Sequence, residues 1–357
     1  MAKYFLIAGE SSGDGHAATL MAKIQQREPD AVFVGFGGDK MQQAGCRIIR
    51  HLRHMAFMGF VAVISHWKEV RENFRMAHKA LLSEQPDVLI LIDYPSFNLR
   101  MAKFCKLHLP NTKIYYYIPP KVWAWKRRRI HKIARLCDEV WAIFPFEPAF
   151  YARYGYTCRY VGNPTAEMVE NFIQSNKKKV QRDRIIALLP GSRTSEISHC
   201  LPKMLEAARR FSDYSLIVCA APNISDDFYA SYMHEGETLT RETYATIRQA
   251  SAAIVNSGTA TLETALLGCP QVAVYHLAYP RIVGFIRSWV QPILFSIKHF
   301  TLVNIISEKE VIKEYIANEF TVDNISAELQ RLLTDETYKK EMLANYEHLH
   351  ILLSSKL

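Results

Sequence analysis

Nine short apolar runs, arranged in two series, constrain this chain more than any other feature. YFLIAG (4–9), AVFVGFGG (31–38), DVLILIDY (87–94), KIYYYI (113–118) and EVWAIF (139–144) recur at strand length in the first half. RIIALLPG (184–191), SLIVCAAP (215–222), AAIVNSG (252–258) and PQVAVYH (270–276) repeat the pattern in the second. Mixed-polarity segments of helical length, such as HAATLMAKIQQ and SHWKEVRENFRMAHKALLSEQ, separate them. Strands apolar on both faces must be covered on both faces, and alternation with helices achieves this as a parallel sheet between helical layers. The charged segment NKKKVQRDR (176–184) interrupts the series. The pattern predicts two α/β domains of similar plan, residues 1–175 and 184–357, the second closing in helices, with a linker at about 176–183. A length of 357 residues agrees, since domains average roughly 150 residues.

At 49% hydrophobic and 22% charged residues, the chain is expected to fold throughout. Its net charge of +9 suits an anionic partner without selecting nucleotide, acidic lipid or nucleic acid. Seven scattered cysteines, an odd number with no CxxC pair, indicate neither a disulfide framework nor a zinc site, and point to the cytosol. The opening MAKYFLIAGE is too short in apolar residues for a signal peptide. Arg287, Lys298 and His299 break the stretch from Arg281 to Ile306 below membrane-spanning length.

Open parallel sheets bind ligands beyond the carboxyl ends of their strands, so the turns there carry the information. GESSGD (9–14) matches neither GxGxxG nor GxxxxGK; Ser11, Ser12 or Asp14 can cap the following helix, and a plain structural turn explains it equally well. LPGSRTSEI places Gly191, Ser192 and Arg193 at a helix start, where amides and a guanidinium suit a diphosphate; the alternative is Arg193 in a surface salt bridge. NSGTATLE offers Ser257, Gly258 and Thr259 to phosphate oxygens, with Glu263 one turn on for the two hydroxyls of a ribose. A capping box is the competing explanation, weakened by a spacing of four. Asp93 ends an apolar strand, where desolvation raises a carboxylate toward a useful base; a cap is the alternative.

Two further segments read as surface chemistry or as core. WAWKRRRIHKIARLCDEV clusters Lys126, Arg127, Arg128, Arg129, Lys132 and Arg135 beside two tryptophans, a solvated helix face, a site for phosphate or lipid headgroups, or a surface where bases stack on Trp123 and Trp125. HMAFMGFVAVISHW carries Met55, Phe57, Met58, Phe60 and Val61, consistent with core, an acyl groove or a membrane-dipping surface.

As an ordered set, GESSGD, YIPPKVWAWKRRRI, FPFEPAFY, VGNP, LPGSRTSEI and SGTATLE followed by LVNII resemble the lipid-A-disaccharide synthase family over roughly residues 4 to 315. The resemblance implies an inverting GT-B glycosyltransferase, two Rossmann-like domains facing across a cleft. It implies transfer of diacylglucosamine from UDP-diacylglucosamine to diacylglucosamine 1-phosphate, releasing UDP, by a peripheral enzyme on the cytoplasmic face of the bacterial inner membrane. UDP then falls to Gly191, Ser192, Arg193, Ser257, Gly258, Thr259, Glu263 and Asn304 of LVNII, and the acceptor and transferred sugar to Ser11, Ser12 and Gly13. Asp93 is the favoured base, with Asp14 and Glu10 behind it, because Ser96 stands where many relatives carry a second acid. Asn163 stands where relatives often have His, so no histidine is assigned a role there. With Arg193 on the diphosphate, no metal or other cofactor is expected. A UDP-sugar epimerase on the same architecture is the rival enzyme and a basic RNA-binding protein the rival of another class, though nucleic acid is not the expected partner. Acyl length and oligomeric state, homodimer included, stay open.

Overall fold

The computed structural model describes residues 1–55, 67–123, 127–177, 182–276 and 299–354. Phe57, Met58, Phe60, Val61 and Lys126, assigned above to membrane or acyl contact, lie outside these residues. The chain divides into two units, Met1–Val161 and the part from Gly162 onward.

In the first unit the described strands are β1 (Lys3–Ala8), β2 (Val32–Gly37), β3 (Arg47–His51), β4 (Val88–Ile92), β5 (Lys113–Tyr117), β6 (Glu139–Ala142) and β7 (Arg159–Tyr160). They form one sheet in the order β3-β2-β1-β4-β5-β6-β7, every pair parallel. Alternation along β1 sends Phe5 and Ile7 into one core, with Leu89, Leu91 and Tyr116, and Leu6 and Ala8 into the other, with Ile90 and Ile92. These strands are buried on both faces, which is why they read as continuous apolar runs.

The second unit repeats the plan with β8 (Ile185–Leu189), β9 (Ser215–Cys219), β10 (Thr238–Thr240), β11 (Ala252–Asn256), β12 (Gln271–Tyr275) and β13 (Glu314–Ile316). Their order is β10-β9-β8-β11-β12-β13, again parallel. In both units the order reverses beside the first strand, so a switch point lies between β1 and β4 and another between β8 and β11.

The boundary falls upstream of the expected linker. Helix Pro164–Ser175 packs on helices Thr259–Leu266 and Glu336–Ser354 of the second unit, so residues 162–175 belong there. The chain crosses at VGNP: Gly162 takes φ +93°, and the Asn163 side chain accepts from the amides of Thr165 (3.0 Å) and Ala166 (3.2 Å) to cap that helix. A charge run is conspicuous in sequence, but this turn and cap change the unit. All seven cysteines are free. Among the described residues no helix is long and apolar enough to cross a membrane.

Candidate active site

At the switch point of the first unit, β1 delivers GESSGD and β4 delivers DYPSFN side by side, since Ala8 pairs with Ile92. Asp93 and Tyr94 both take left-handed backbone conformations, φ 45° and 43°. Such conformations are strained for non-glycine residues and persist where surroundings enforce them. Here the buried Asn98 amide donates to the carbonyls of Asp93 (2.7 Å) and Ile92 (3.1 Å), and the Tyr116 hydroxyl donates to the Asp93 carbonyl (2.8 Å). The Tyr94 hydroxyl donates to the Met55 carbonyl (2.8 Å), and the Tyr94 ring lies so close over Gly9 that a β-carbon there would sit 2.4 Å from it. The Asp93 side chain is thus aimed by a fixed backbone.

Burial raises the Asp93 carboxyl above its ordinary range, opposed by the Lys121 charge and a backbone hydrogen bond at Tyr94. Lys121 feels burial in the opposite sense, its ammonium held below the usual lysine range while Asp93 and Glu147 pull it back. The Lys121 ammonium lies about 6.0 Å from the Phe144 ring centre. Glu147 is 1% exposed and accepts from Trp123 Nε1 (3.2 Å) and the Phe144 amide (3.1 Å); burial pushes its carboxyl up to about 7. This acid of FPFEP ties together the two loops that follow β5 and β6.

Glu10 is half-buried at the start of helix Ser11–Arg27, near enough to Tyr94 for its charge to raise that phenol, after burial has done so. Ser12 is exposed, and Gly13 is buried against Ala8 and Ile92. Asp14 is corrected as a candidate base: it is 4% exposed, and its carboxylate accepts from the amides of Gly38 (2.7 Å), Lys40 (3.0 Å) and Met41 (3.1 Å). It anchors the turn after β2, a buried structural role that three backbone amides already occupy. Met55 is corrected too, being fully buried in the core with Phe36 and Phe97 rather than at a surface. Arg127 and Arg128 are exposed and Arg129 half-buried.

At the second switch point β8 leads into Gly191, Ser192 and Arg193, and β11 into Ser257, Gly258 and Thr259. Gly191 has φ +119°, and a β-carbon there would meet Glu196 Oε2 at 2.6 Å and Asn256 Nδ2 at 2.7 Å, so only glycine fits. Glu196 bridges the loop: its two oxygens accept from the Ser192 amide (3.0 Å) and the Arg193 guanidinium (2.8 Å). The surface ion pair weighed for Arg193 therefore exists, and with the side chain 59% exposed the guanidinium keeps further N–H donors for a ligand. Gly258 and Thr259 are exposed at the amino terminus of helix Thr259–Leu266, where no side chain caps the amides.

Glu263 makes no capping box. One of its oxygens accepts from the Tyr244 hydroxyl (2.8 Å), and burial raises its carboxyl while that hydrogen bond opposes the rise. Tyr244 itself packs edge-on against Phe172. His199 and His276 stack with ring centres 4.2 Å apart at the end of β12. Asn304 is corrected: fully buried, it donates to the Ile312 carbonyl (2.8 Å) and Glu314 Oε1 (3.0 Å) and accepts from the Val311 (2.7 Å) and Ile312 (3.0 Å) amides. It pins the approach to β13, with no capacity left for a nucleotide. Tyr244, Glu196 and Glu147 escaped the motif reading because their roles depend on partners distant in pattern; the fixed segments LPGSRTSEI and FPFEPAFY contained the last two.

The profile of the family described as Lipid-A-disaccharide synthetase matches residues 4–355. Lipid-A-disaccharide synthase of Trichlorobacter lovleyi is 36% identical over 359 residues, covering 97% of this chain and 92% of the relative. That of Myxococcus xanthus is 34% identical, covering 96% and 90%. Among solved structures, the glycosyltransferase of kitacinnamycin superposes with TM-score 0.64 at 8% identity, covering 98% of this chain and 95% of the other. UDP-GlcNAc 2-epimerase from Neisseria meningitidis, bound to UDP-GlcNAc, superposes with TM-score 0.58 at 10% identity, covering 98% of each. The two solved structures share the two-domain Rossmann-like fold of GT-B enzymes, while the synthases share the sequence as well, which sets the epimerase alternative aside. The chain belongs to the lipid-A-disaccharide synthase family, hexosyltransferases of lipid A biosynthesis.

Proposed function

We propose that this chain joins the diacylglucosamine of UDP-2,3-diacylglucosamine to 2,3-diacylglucosamine 1-phosphate, with inversion, giving the disaccharide 1-phosphate and UDP. The observation that carries the reading is the sorting of loops at the two switch points. The second unit presents amides, hydroxyls, Arg193 and Glu263, which suit a nucleoside diphosphate; the first presents a rigidly aimed carboxylate, Asp93, which suits proton removal. The acceptor's primary hydroxyl attacks the anomeric carbon opposite UDP while Asp93 takes its proton. Negative charge grows on the leaving diphosphate, and Arg193 with the amides at Gly258 and Thr259 stabilises it. In this reading no metal carries that charge, so turnover persists in EDTA; loss restored by magnesium would reject the assignment.

The enzyme acts as a peripheral protein on the cytoplasmic face of the inner membrane, drawn by its basic surface to anionic lipid. High salt or mild detergent releases it. Supplying the purified protein with both acylated substrates tests the whole: disaccharide 1-phosphate and UDP are expected in equal amounts. No disaccharide, or epimerisation of UDP-N-acetylglucosamine supplied in a separate assay, would overturn the reading.

A further inference from the structure

Beside the Asp93 strand end lies a cavity of about 270 Å³ lined by Pro95, Ser96, Leu99, Arg100, Arg129 and Lys132. Among the described residues, three of the six lining side chains are cations and none is a carboxylate. Pro95 and Ser96 open helix Pro95–His108, and Arg129 opens helix Arg129–Leu136 with Lys132 nearly one turn on; the two helices pack together. Arg100 lies with its guanidinium 5.0 Å from the centre of the Phe74 ring, which holds a long side chain in one place. Arg129 is close enough for its charge to act on the Tyr116 hydroxyl, the same hydroxyl that donates to the Asp93 carbonyl (2.8 Å). The cavity therefore belongs to the neighbourhood of the candidate base.

Gathering three cations on one wall is unfavourable through mutual repulsion, and an anion that binds there relieves it. Two of them are guanidiniums, whose planar donors match phosphate oxygens in pairs, and the Ser96 hydroxyl supplies a neutral donor. We propose that this cavity is a phosphomonoester subsite that takes the 1-phosphate of the acceptor sugar. The proposal rests on the transferase reading above. Ser96 follows Asp93 by three residues, a span of at most about 10 Å, so an acceptor held here by its phosphate lays a sugar ring toward Asp93. The phosphate then acts as the handle that orients the far hydroxyl for attack.

The test compares 2,3-diacylglucosamine 1-phosphate with the same acceptor lacking its phosphate, on wild type, Arg129→Gln/Lys132→Gln and Arg100→Gln. The wild type should favour the phosphorylated acceptor strongly in kcat/KM. The double variant should lose on the order of 30-fold or more on that acceptor, little on the other, and keep its affinity for UDP. Arg129→Lys should recover part of the loss. Arg100 and Lys132 are exposed, so Arg100→Gln and a single Lys132→Gln keep the test open if the double variant melts early. Equal losses on both acceptors would overturn the proposal. So would intact discrimination accompanied by weaker binding to phosphatidylglycerol vesicles, which would assign the cavity to a lipid headgroup. Wild-type protein that glycosylates neither acceptor would instead sink the transferase reading beneath it.

Discussion

At the second switch point the chain turns on glycine, with Gly191 at φ +119° and Gly258 exposed before an uncapped helix. At the first it turns on Asp93, Tyr94 and, at the end of neighbouring β5, Ile118, with φ of 45°, 43° and 57°. Glycine lets a ligand approach the backbone and bind amides directly. A strained non-glycine residue costs about 1–3 kcal/mol, and gains from it only what its side chain's fixed direction is worth. The hydrogen bonds from Asn98 and Tyr116 hold that strain in place. One switch point exposes its backbone and the other aims side chains, which is the contrast that the proposed donor binding and proton transfer require.

The largest expected effect tests the aimed side. Asp93→Asn keeps size and hydrogen bonding but removes proton affinity, so turnover should fall roughly 10²- to 10⁴-fold with UDP binding and melting temperature nearly unchanged. Near-normal turnover would pass the role to Glu10, because Asp14 is committed to three amides.

The gripping side is tested at Arg193. Arg193→Ala should cost on the order of 2–4 kcal/mol of transition-state stabilisation, visible in turnover as well as donor affinity, and Lys should not restore the planar fork. The Glu196 pairing sharpens the experiment. If the ion pair only tightens the loop, the variant should melt earlier while the remaining folded enzyme turns over normally, and Arg193 would leave the site.

Glu147 tests whether the loops of the first unit are held from beneath. Its carboxyl rises by burial from an ordinary 4.5 to about 7. Between those values the folded state binds a proton that the unfolded state has lost. Its contribution is therefore fully present below about 4.5 and disappears as pH rises through about 7, a change on the order of 3 kcal/mol. Melting temperature should fall between pH 5 and pH 8 in wild type, and Glu147→Gln should flatten that slope. An identical slope in both proteins would show that Glu147 is ionised throughout.

Legibility followed burial. The nine runs read from the sequence are the strands flanked on both sides, whereas β3, β7, β10 and β13 were missed, and they are the four sheet edges. Edge strands are short and half-solvated; β3 carries Arg47, Arg50 and His51 and has no apolar run to find. The positions of the switch-point loops were legible because each follows an apolar run at the carboxyl end of a parallel strand. Asp14 and Asn304 were misplaced because a polar side chain looks the same in sequence whether it faces solvent or backbone amides. The amides that donate to Asp14 lie 24 to 27 residues away. Met55 fails for the complementary reason, since an apolar run looks alike in a core and at a membrane.

The smallest effect is the most selective. Tyr244 has no motif to announce it, yet its hydroxyl occupies one oxygen of Glu263 at 2.8 Å and leaves the other for a sugar hydroxyl. If Glu263 holds the ribose, Tyr244 positions it, and Tyr244→Phe should weaken UDP binding by about 1 kcal/mol, the worth of one hydrogen bond. The bond also opposes the rise that burial imposes on the Glu263 carboxyl. Removing it should move that carboxyl further up, so UDP affinity in the variant should begin to fall at a higher pH than in wild type as the solution is acidified. A purely structural tyrosine would lower the melting temperature without moving this pH profile. The decisive ligand is 2′-deoxy-UDP, which lacks one of the hydroxyls that Glu263 can accept from. Titrated against wild type and Tyr244→Phe, it should show a smaller difference between the two proteins than UDP does. The same difference for both nucleotides would detach Tyr244 from ribose recognition.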